Sequence, residues 1–351
     1  MRLLTSALCT ALAAGLLAAC SGSSASTPTA PGTMGAENHL INGRFVPGFS
    51  RTANPIPVEL RTWNPQRVLS RIVPDKKAKG GIYGSQFFAA LINGYKTNGS
   101  GPICSETASY PNSIAVDGKG NLIDPDGGSR TIIVYKGPGM CGPSVGSTSD
   151  NYGQPSDATS PNAATGTIVV GNIFDTSGAG SISLCTLSGG CTTNLTNANM
   201  YEVAGVAQAK NGDCWASATS SGGTATLTYF AGCTGAGQAA TGFVNAYYGG
   251  LDIDKAGNLV SIDAFTPALR VYKGCNPTCT LVGGPFALNG DSVYGHLNKK
   301  STEFVAGDYA NGELDVYKYK PTGLTYQFSI TSGFNASDDV EGAAFNPRSK
   351  E

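Results

Sequence analysis

The chain has 351 residues, a formal net charge of −1 and only 13 % charged side chains, so its totals carry no electrostatic footprint for nucleic acid or for anionic lipid. Two histidines in the whole chain argue against a zinc enzyme and against a Ser-His-Asp enzyme. The 48 glycines point to many tight turns and closely approaching strands.

Arg2 opens an apolar run from Leu3 to Ala19 that ends Leu17-Ala18-Ala19-Cys20, which reads as a secretory signal over residues 1–19. Its end resembles the lipobox of bacterial lipoproteins, which implies cleavage before Cys20 and acylation of that residue. The alternatives are an ordinary signal peptide or a membrane span, and a span needs about 20 apolar residues. An acylated Cys20 makes the membrane a partner, because two or more acyl chains hold a protein where one does not. The location implied is extracytoplasmic, at an outer membrane or cell surface. Residues 20–36, rich in Ser, Thr, Pro, Ala and Gly without a charge, read as a flexible tether. Residues 37–79 fit no repeat and read as an extension along the outside or rim, with a short helix after Asn64-Pro65 that ends at Pro74.

From residue 80 onward one pattern recurs. Its clearest copies are Ser113-Ile-Ala-Val-Asp-Gly-Lys-Gly-Asn-Leu-Ile-Asp-Pro-Asp126 and Gly250-Leu-Asp-Ile-Asp-Lys-Ala-Gly-Asn-Leu-Val-Ser-Ile-Asp263. Each is strand, tight turn, strand, with Asp117 or Asp254 as the Asx-turn acceptor and Gly120 or Gly257 at positive φ. The turn anchors Gly120, Gly166, Gly212, Gly257 and Thr302 are spaced 46, 46, 45 and 45 residues apart. Four short strands in a repeat of that length make a propeller blade. A parallel β-solenoid competes, but its repeats are shorter.

The chain ends fix the blade count at six. Gly80–Lys96 supply second and third strands with no first strand, and Glu341–Asn346 form a first strand with nothing after it. The C-terminal strand therefore enters the first blade and closes the ring, leaving no open edge. The expected blades are 80–110 with 339–348, 111–146, 147–196, 200–240, 245–287 and 290–332, within an all-β domain over residues 80–351.

Ten cysteines are present, of which Cys9 leaves with the signal and Cys20 carries lipid. The even remainder, in an oxidising compartment, suggests disulfides. Cys185/Cys191 and Cys275/Cys279 flank short loops between third and outer strands, while Cys214 and Cys233 face each other across a hairpin. Cys104 and Cys141 pair by elimination.

These repeats resemble NHL-type and regucalcin/gluconolactonase-like propellers, whose blades share the pattern Pro-x-Gly-φ-x-φ-Asp-x-x-Gly-Asn-φ-φ-φ-x-Asp, with φ apolar. More narrowly, the chain resembles bacterial lipoproteins built on such propellers. The likeness implies channel-facing ligands at the starts of the innermost strands, here Asn112, Ala204, Gly249, Tyr294 and Glu341. In the gluconolactonase-like family a Glu, Asn and Asp at such places hold a divalent cation that polarises a lactone carbonyl. Glu341-Gly342 and Pro111-Asn112-Ser113 resemble that family's motifs, but Gly249 stands where the ligand Asp belongs. A Ca²⁺ ion would then need Glu202, backbone carbonyls and water to complete its shell. His296 reaches toward the channel or packs within a strand. Tyr247, Tyr248 and Tyr294 stack on a sugar or peptide, or pack between blades. A column of Gln86, Asp126, Asn172, Ala218, Asp263 and Asp308 closes the second strands and caps the turn that follows.

The leading functional expectation is a non-catalytic binding or scaffolding module with a protein, peptide or glycan ligand at a channel mouth built from Asn112, Glu202, Tyr248, Tyr294, His296 and Glu341. No cofactor is required by that reading, and nucleic acid is not a partner. The alternative is a divalent-metal-dependent, lactonase-like hydrolase using Ca²⁺.

Overall fold

Alternation of buried and exposed residues over short strands, punctuated by Gly, Asp and Asn turns, folds residues 80–346 into six four-stranded antiparallel sheets. The computed structural model describes the backbone of 38–41 and 44–47 and residues 80–334 and 339–346. The first two segments form a separate antiparallel hairpin that joins no blade. The signal, the tether, Cys20 and the helix expected after Pro65 lie outside the described residues.

Blade 1 is the split one. Its innermost strand, Val340–Phe345, pairs antiparallel with Ile82–Gln86, which continues to Leu91–Tyr95 and Cys104–Thr107. The register matches Phe345 to Ile82 and Val340 to Gln86. Closure by the C-terminal strand is as the sequence predicts. From innermost outward, blade 2 runs Ala115–Val116, Leu122–Asp126, Thr131–Tyr135 and Ser144–Ser149. Its outer strand ends three residues beyond the expected boundary. Blade 3 runs Gly153–Thr159, Ile168–Asp175, Ser181–Thr186 and Gly190–Leu195. Blade 4 runs Glu202–Gln208, Cys214–Thr219, Ala225–Phe230 and Gln238–Ala239. Blades 5 and 6 begin at Leu251–Ile253 and Gly295–Leu297 and end at Thr280–Ala287 and Gly323–Ile330.

The core is divided among the seams between blades. Val169 and Ile182 of blade 3 meet Val206, Ala216 and Phe230 of blade 4, and Val305, Leu314 and Val316 of blade 6 meet Ile82, Tyr95 and Val340 of blade 1. Each remaining pair of consecutive blades shares a cluster of the same kind. Every blade thus buries both faces, which is why the second strands carry near-continuous buried runs.

The turns behave as their residues dictate. Asp117 Oδ1 accepts the N–H groups of Lys119 and Asn121 at 2.7 and 2.9 Å, and Asp254 does the same for Ala256 and Asn258. Gly120 and Gly257 hold φ of 87° and 83°, a region closed to most side chains. At the opposite ends of the second strands, Asp263 accepts from the N–H groups of Ala246 and Tyr247 and from Arg270. Asp126 accepts from Ser109 and Ser129. Asp126 and Asp263 thus tie their turns to the segments entering their own blades, while Asp308 caps its own turn through Ala310 and Asn311.

Four disulfides join Cys104–Cys141, Cys185–Cys191, Cys214–Cys233 and Cys275–Cys279. Cys185 and Cys191 are register partners on adjacent strands. Cys214 is level with Phe230, so Cys233 lies not at the strand end but in the short 3-10 turn Ala231–Cys233. Cys104 belongs to blade 1 and Cys141 to the loop after the third strand of blade 2, which makes that bond a staple between blades.

Candidate channel site

The innermost strands enter the channel through a bulge. In blades 1, 3 and 4 the register slips between Val340 and Ala343, Pro155 and Asp157, and Val203 and Gly205. Blade 2 has the equivalent Pro111–Asp126 bridge. A bulge adds a residue and re-aims its neighbours, and here it sets a row of Glu341, Asn112, Ser156 and Ala204. Blades 5 and 6 extend that row. Leu251 pairs with Ser261 and Gly295 with Ala306, each two residues before the column acid. Gly249 and Val293 therefore complete the row. Tyr294 belongs to the next row, with Gly250, Gly205 and Asp157, so the expectation that aligned it with Glu341 is one residue out. The cause is an inner turn one residue longer in blade 6, where Leu297 pairs with Phe304, than in blade 5, where Ile253 pairs with Leu259.

Within the row the chemistry is sparse. Glu341 is buried, and that burial, reinforced by the charge of Asp339, pushes its carboxyl well above the usual range. Asn112, also buried, donates Nδ2 to the carbonyl of Pro155 at 3.3 Å, and its own carbonyl accepts from Ser85 at 2.9 Å. Ser156 Oγ is spent on the carbonyls of Gly171 and Val203. At Gly249 a Cβ would lie 2.6 Å from the carbonyl oxygen of Ile262, so no ligand-bearing side chain fits there. The residues present do not match a cation site of the lactonase kind: one carboxylate and one amide face a row of Ser, Ala, Gly and Val. Among the described residues, the acidic and Cys groups close enough to share an ion lie elsewhere, at Asp308, Glu313 and Asp315 and at Asp150 beside the Cys185–Cys191 bond.

Three of the predicted residues form tyrosine contacts at the mouth. Tyr247 and Tyr248 stack with ring centroids 4.4 Å apart. The Tyr248 hydroxyl donates to Glu202 Oε2 at 3.4 Å. Burial, then the charges of Tyr247 and Glu202, hold the Tyr248 phenol far above its ordinary value. Tyr294 is held the same way, by burial and then by Glu341 and Asp157. These rings pack with Ala204, Ala264, Val293 and Tyr309, while Phe87, Ile173, Phe174, Phe88 and Tyr110 form a second apolar cluster from blades 1, 2 and 3.

Deeper along the channel lies a group that the motif reading did not find. His296 Nδ1 lies 3.6 Å from Asp252 Oδ2, and its Nε2 lies 4.0 Å from Asp157 Oδ1. Burial alone would lower the imidazole pKa, but the hydrogen bond and charge of Asp252, together with Asp157, outweigh it and hold the pKa above the ordinary histidine value. Both aspartates also bind the next blade: Asp157 Oδ2 accepts from Val206 N at 2.9 Å and Asp252 Oδ2 from Leu297 N at 2.7 Å. Blades 3, 5 and 6 thus meet at one charged cluster. Asp252 occupies the unspecified position of the repeat. Asp157 lies in blade 3, whose inner turn has lost the Asp-x-x-Gly-Asn signature, so neither residue was marked by the repeat.

No protein-family profile matches this sequence, and no curated protein sequence does either. Solved structures do resemble it. The β-propeller domain of Cps50 (Swd1) from Myceliophteria thermophila superposes with a TM-score of 0.51 at 9 % identity, over 79 % of this chain and 89 % of that one. A candidate 6-phosphogluconolactonase from Bacteroides fragilis gives 0.49 at 8 % identity over 78 % and 99 %. The WD40 propeller domain of Doa1 gives 0.49 at 15 % over 67 % and 74 %. At 9 % identity the likeness to the Cps50 domain is one of fold alone, and the six four-stranded sheets of this chain make it a six-bladed β-propeller.

Proposed function

We propose that this chain is a non-catalytic binding or scaffolding module, held on the outer side of a membrane through an acylated Cys20 and built on an NHL/regucalcin-like propeller. The observation that carries the non-catalytic reading is the row Glu341, Asn112, Ser156, Ala204, Gly249, Val293. A metal hydrolase needs a cation fixed by several oxygen ligands with positions open to substrate, and this row supplies two. Tyr247, half-buried where Tyr248 and Tyr294 are buried, suits stacking against a sugar ring or a peptide.

Two experiments test this reading. Replacing Cys20 with Ser should move the protein out of the membrane fraction, and continued membrane attachment contradicts the anchor. Screening glycan and peptide libraries by quenching of tyrosine fluorescence should give ligands whose affinity drops about tenfold or more in Tyr247→Ala, the usual scale for losing an aromatic contact of about 1.5 kcal/mol. Ligands that bind the variant as well as the parent contradict the mouth as the site.

A further inference from the structure

The net charge of −1 conceals a sorted distribution. In each blade the turn between innermost and second strands, and the turn between third and outer strands, lie at one end of the ring. The remaining connections lie at the other. Lys119, Lys210, Lys255, Lys299 and Lys300 sit in the inner turns of blades 2, 4, 5 and 6, and Lys96, Lys136, Lys273, Lys318 and Lys320 at the outer turns of blades 1, 2, 5 and 6. These are all the lysines between residues 80 and 346, and every one is exposed. The acids in those turns are Asp117 and Asp254, buried in their own turns, and the half-buried Asp213 and Glu303, which accept hydrogen bonds from Gly232 N and Asn298 Nδ2. The opposite end holds no lysine among the described residues; of its acids Asp126, Asp150, Asp263 and Asp308 are buried and Asp175 and Asp291 half-buried, beside Arg130 and Arg270.

A second observation is independent of charge. The chain enters the propeller at Gly80–Ile82, at the start of a second strand, so it enters through the lysine-bearing end. Asn346, at the end of the last strand, meets Gly81 there. All four disulfides also lie at this end, on the outer turns of blades 2, 3, 4 and 5.

We propose that the lysine-bearing end is a docking surface for an anionic lipid bilayer, with the tyrosine-lined mouth turned away from the membrane. Basic residues within a Debye length of a negative leaflet each contribute about fivefold in affinity. A segment running from an acylated Cys20 into this end of the ring would hold the lysines against the headgroups. The orientation rests on the reading of Cys20 as the anchor; the charge sorting does not.

The test uses the chain from residue 20 onward carrying Cys20→Ser, so that no acyl group takes part. It is sedimented with vesicles of phosphatidylcholine alone or mixed with phosphatidylglycerol. The protein should bind the mixed vesicles and not the neutral ones, and it should release when salt rises from about 0.1 M to about 1 M, which shortens the Debye length from about 10 to about 3 Å. Combining Lys119→Gln, Lys210→Gln, Lys255→Gln and Lys299→Gln should weaken binding about tenfold or more, with unchanged melting as the folding control. Arg130→Gln, at the other end, should leave it unchanged. Equal binding to both vesicle types, no binding, or a quadruple variant that binds like the parent overturns the proposal. Capture of soluble polyphosphate without vesicle binding overturns the lipid assignment. Failure here leaves the Cys20 reading to its own fractionation test, so the two can fail separately.

Discussion

Asn346 donates its backbone N–H to the carbonyl of Gly81 at 2.8 Å, so the last strand of the ring ends against the residues that open the first blade. The contact continues the ladder between Val340–Phe345 and Ile82–Gln86. It leaves Ile82–Gln86 paired on both sides, so the second strand of blade 1 offers no open edge for pairing with other chains. Deleting residues from 340 onward should expose the full inner edge of blade 1 and remove Val340, Ala343 and Phe345 from the cluster shared with blade 6. The truncated protein should lose its cooperative melting transition and aggregate. A single sharp transition at the parental temperature contradicts closure as the source of stability.

Among the disulfides, Cys104–Cys141 spans 37 residues and Cys185–Cys191 spans 6. In the chain-entropy model the longer loop contributes about 4 kcal/mol and the shorter about 2 kcal/mol. Denaturant unfolding of the double alanine variants should show the larger loss for the inter-blade bond. The reverse order would mean that strain or residual structure, rather than loop closure, sets the contribution.

The seam between blades 1 and 2 also holds Asp124, fully buried with neither carboxylate oxygen hydrogen-bonded. Burial, then the charge of Asp126, pushes its pKa well up. Glu106, in the outer strand of blade 1, is raised by burial to about 7. A carboxyl raised on folding binds its proton more tightly in the folded state. Its contribution is full below the unfolded pKa near 4 and is lost as pH rises through the folded value. Stability should therefore fall from about pH 4 toward pH 7. Asp124→Asn should match the parent in acid and melt at higher temperature at neutral pH. Parallel pH profiles for the two proteins would contradict the assignment.

Much of the architecture was legible because the propeller repeats its chemistry. The Asp-x-x-Gly-Asn turns at 117–121 and 254–258 mark the inner hairpins, and the orphan strands at the two chain ends reveal the split blade. Three disulfides followed from strand spacing, and Cys104–Cys141 by elimination. The channel was less legible. The inner turn of blade 6 holds one residue more than that of blade 5, and without the Asp-x-x-Gly-Asn residues to announce it this misplaced Tyr294. Blade 3 lost the turn motif that would have aligned Asp157. The pairing of His296 with Asp252 and Asp157 depends on how blades 3, 5 and 6 converge at the axis, a distance relation that no spacing within one repeat encodes. Charge sorting is hidden for the same reason: the total is a sum over both ends of the ring.

Hydrolysis of sugar lactones, measured with Ca²⁺, Mg²⁺, Mn²⁺ or Zn²⁺ supplied, tests the non-catalytic reading most directly. Glu341 and Asn112 leave most of a hard cation's shell to water, and Gly249 has no room for the missing carboxylate. The account predicts no turnover above the uncatalysed rate with any of these metals. Metal-dependent turnover that disappears in Glu341→Gln would contradict it.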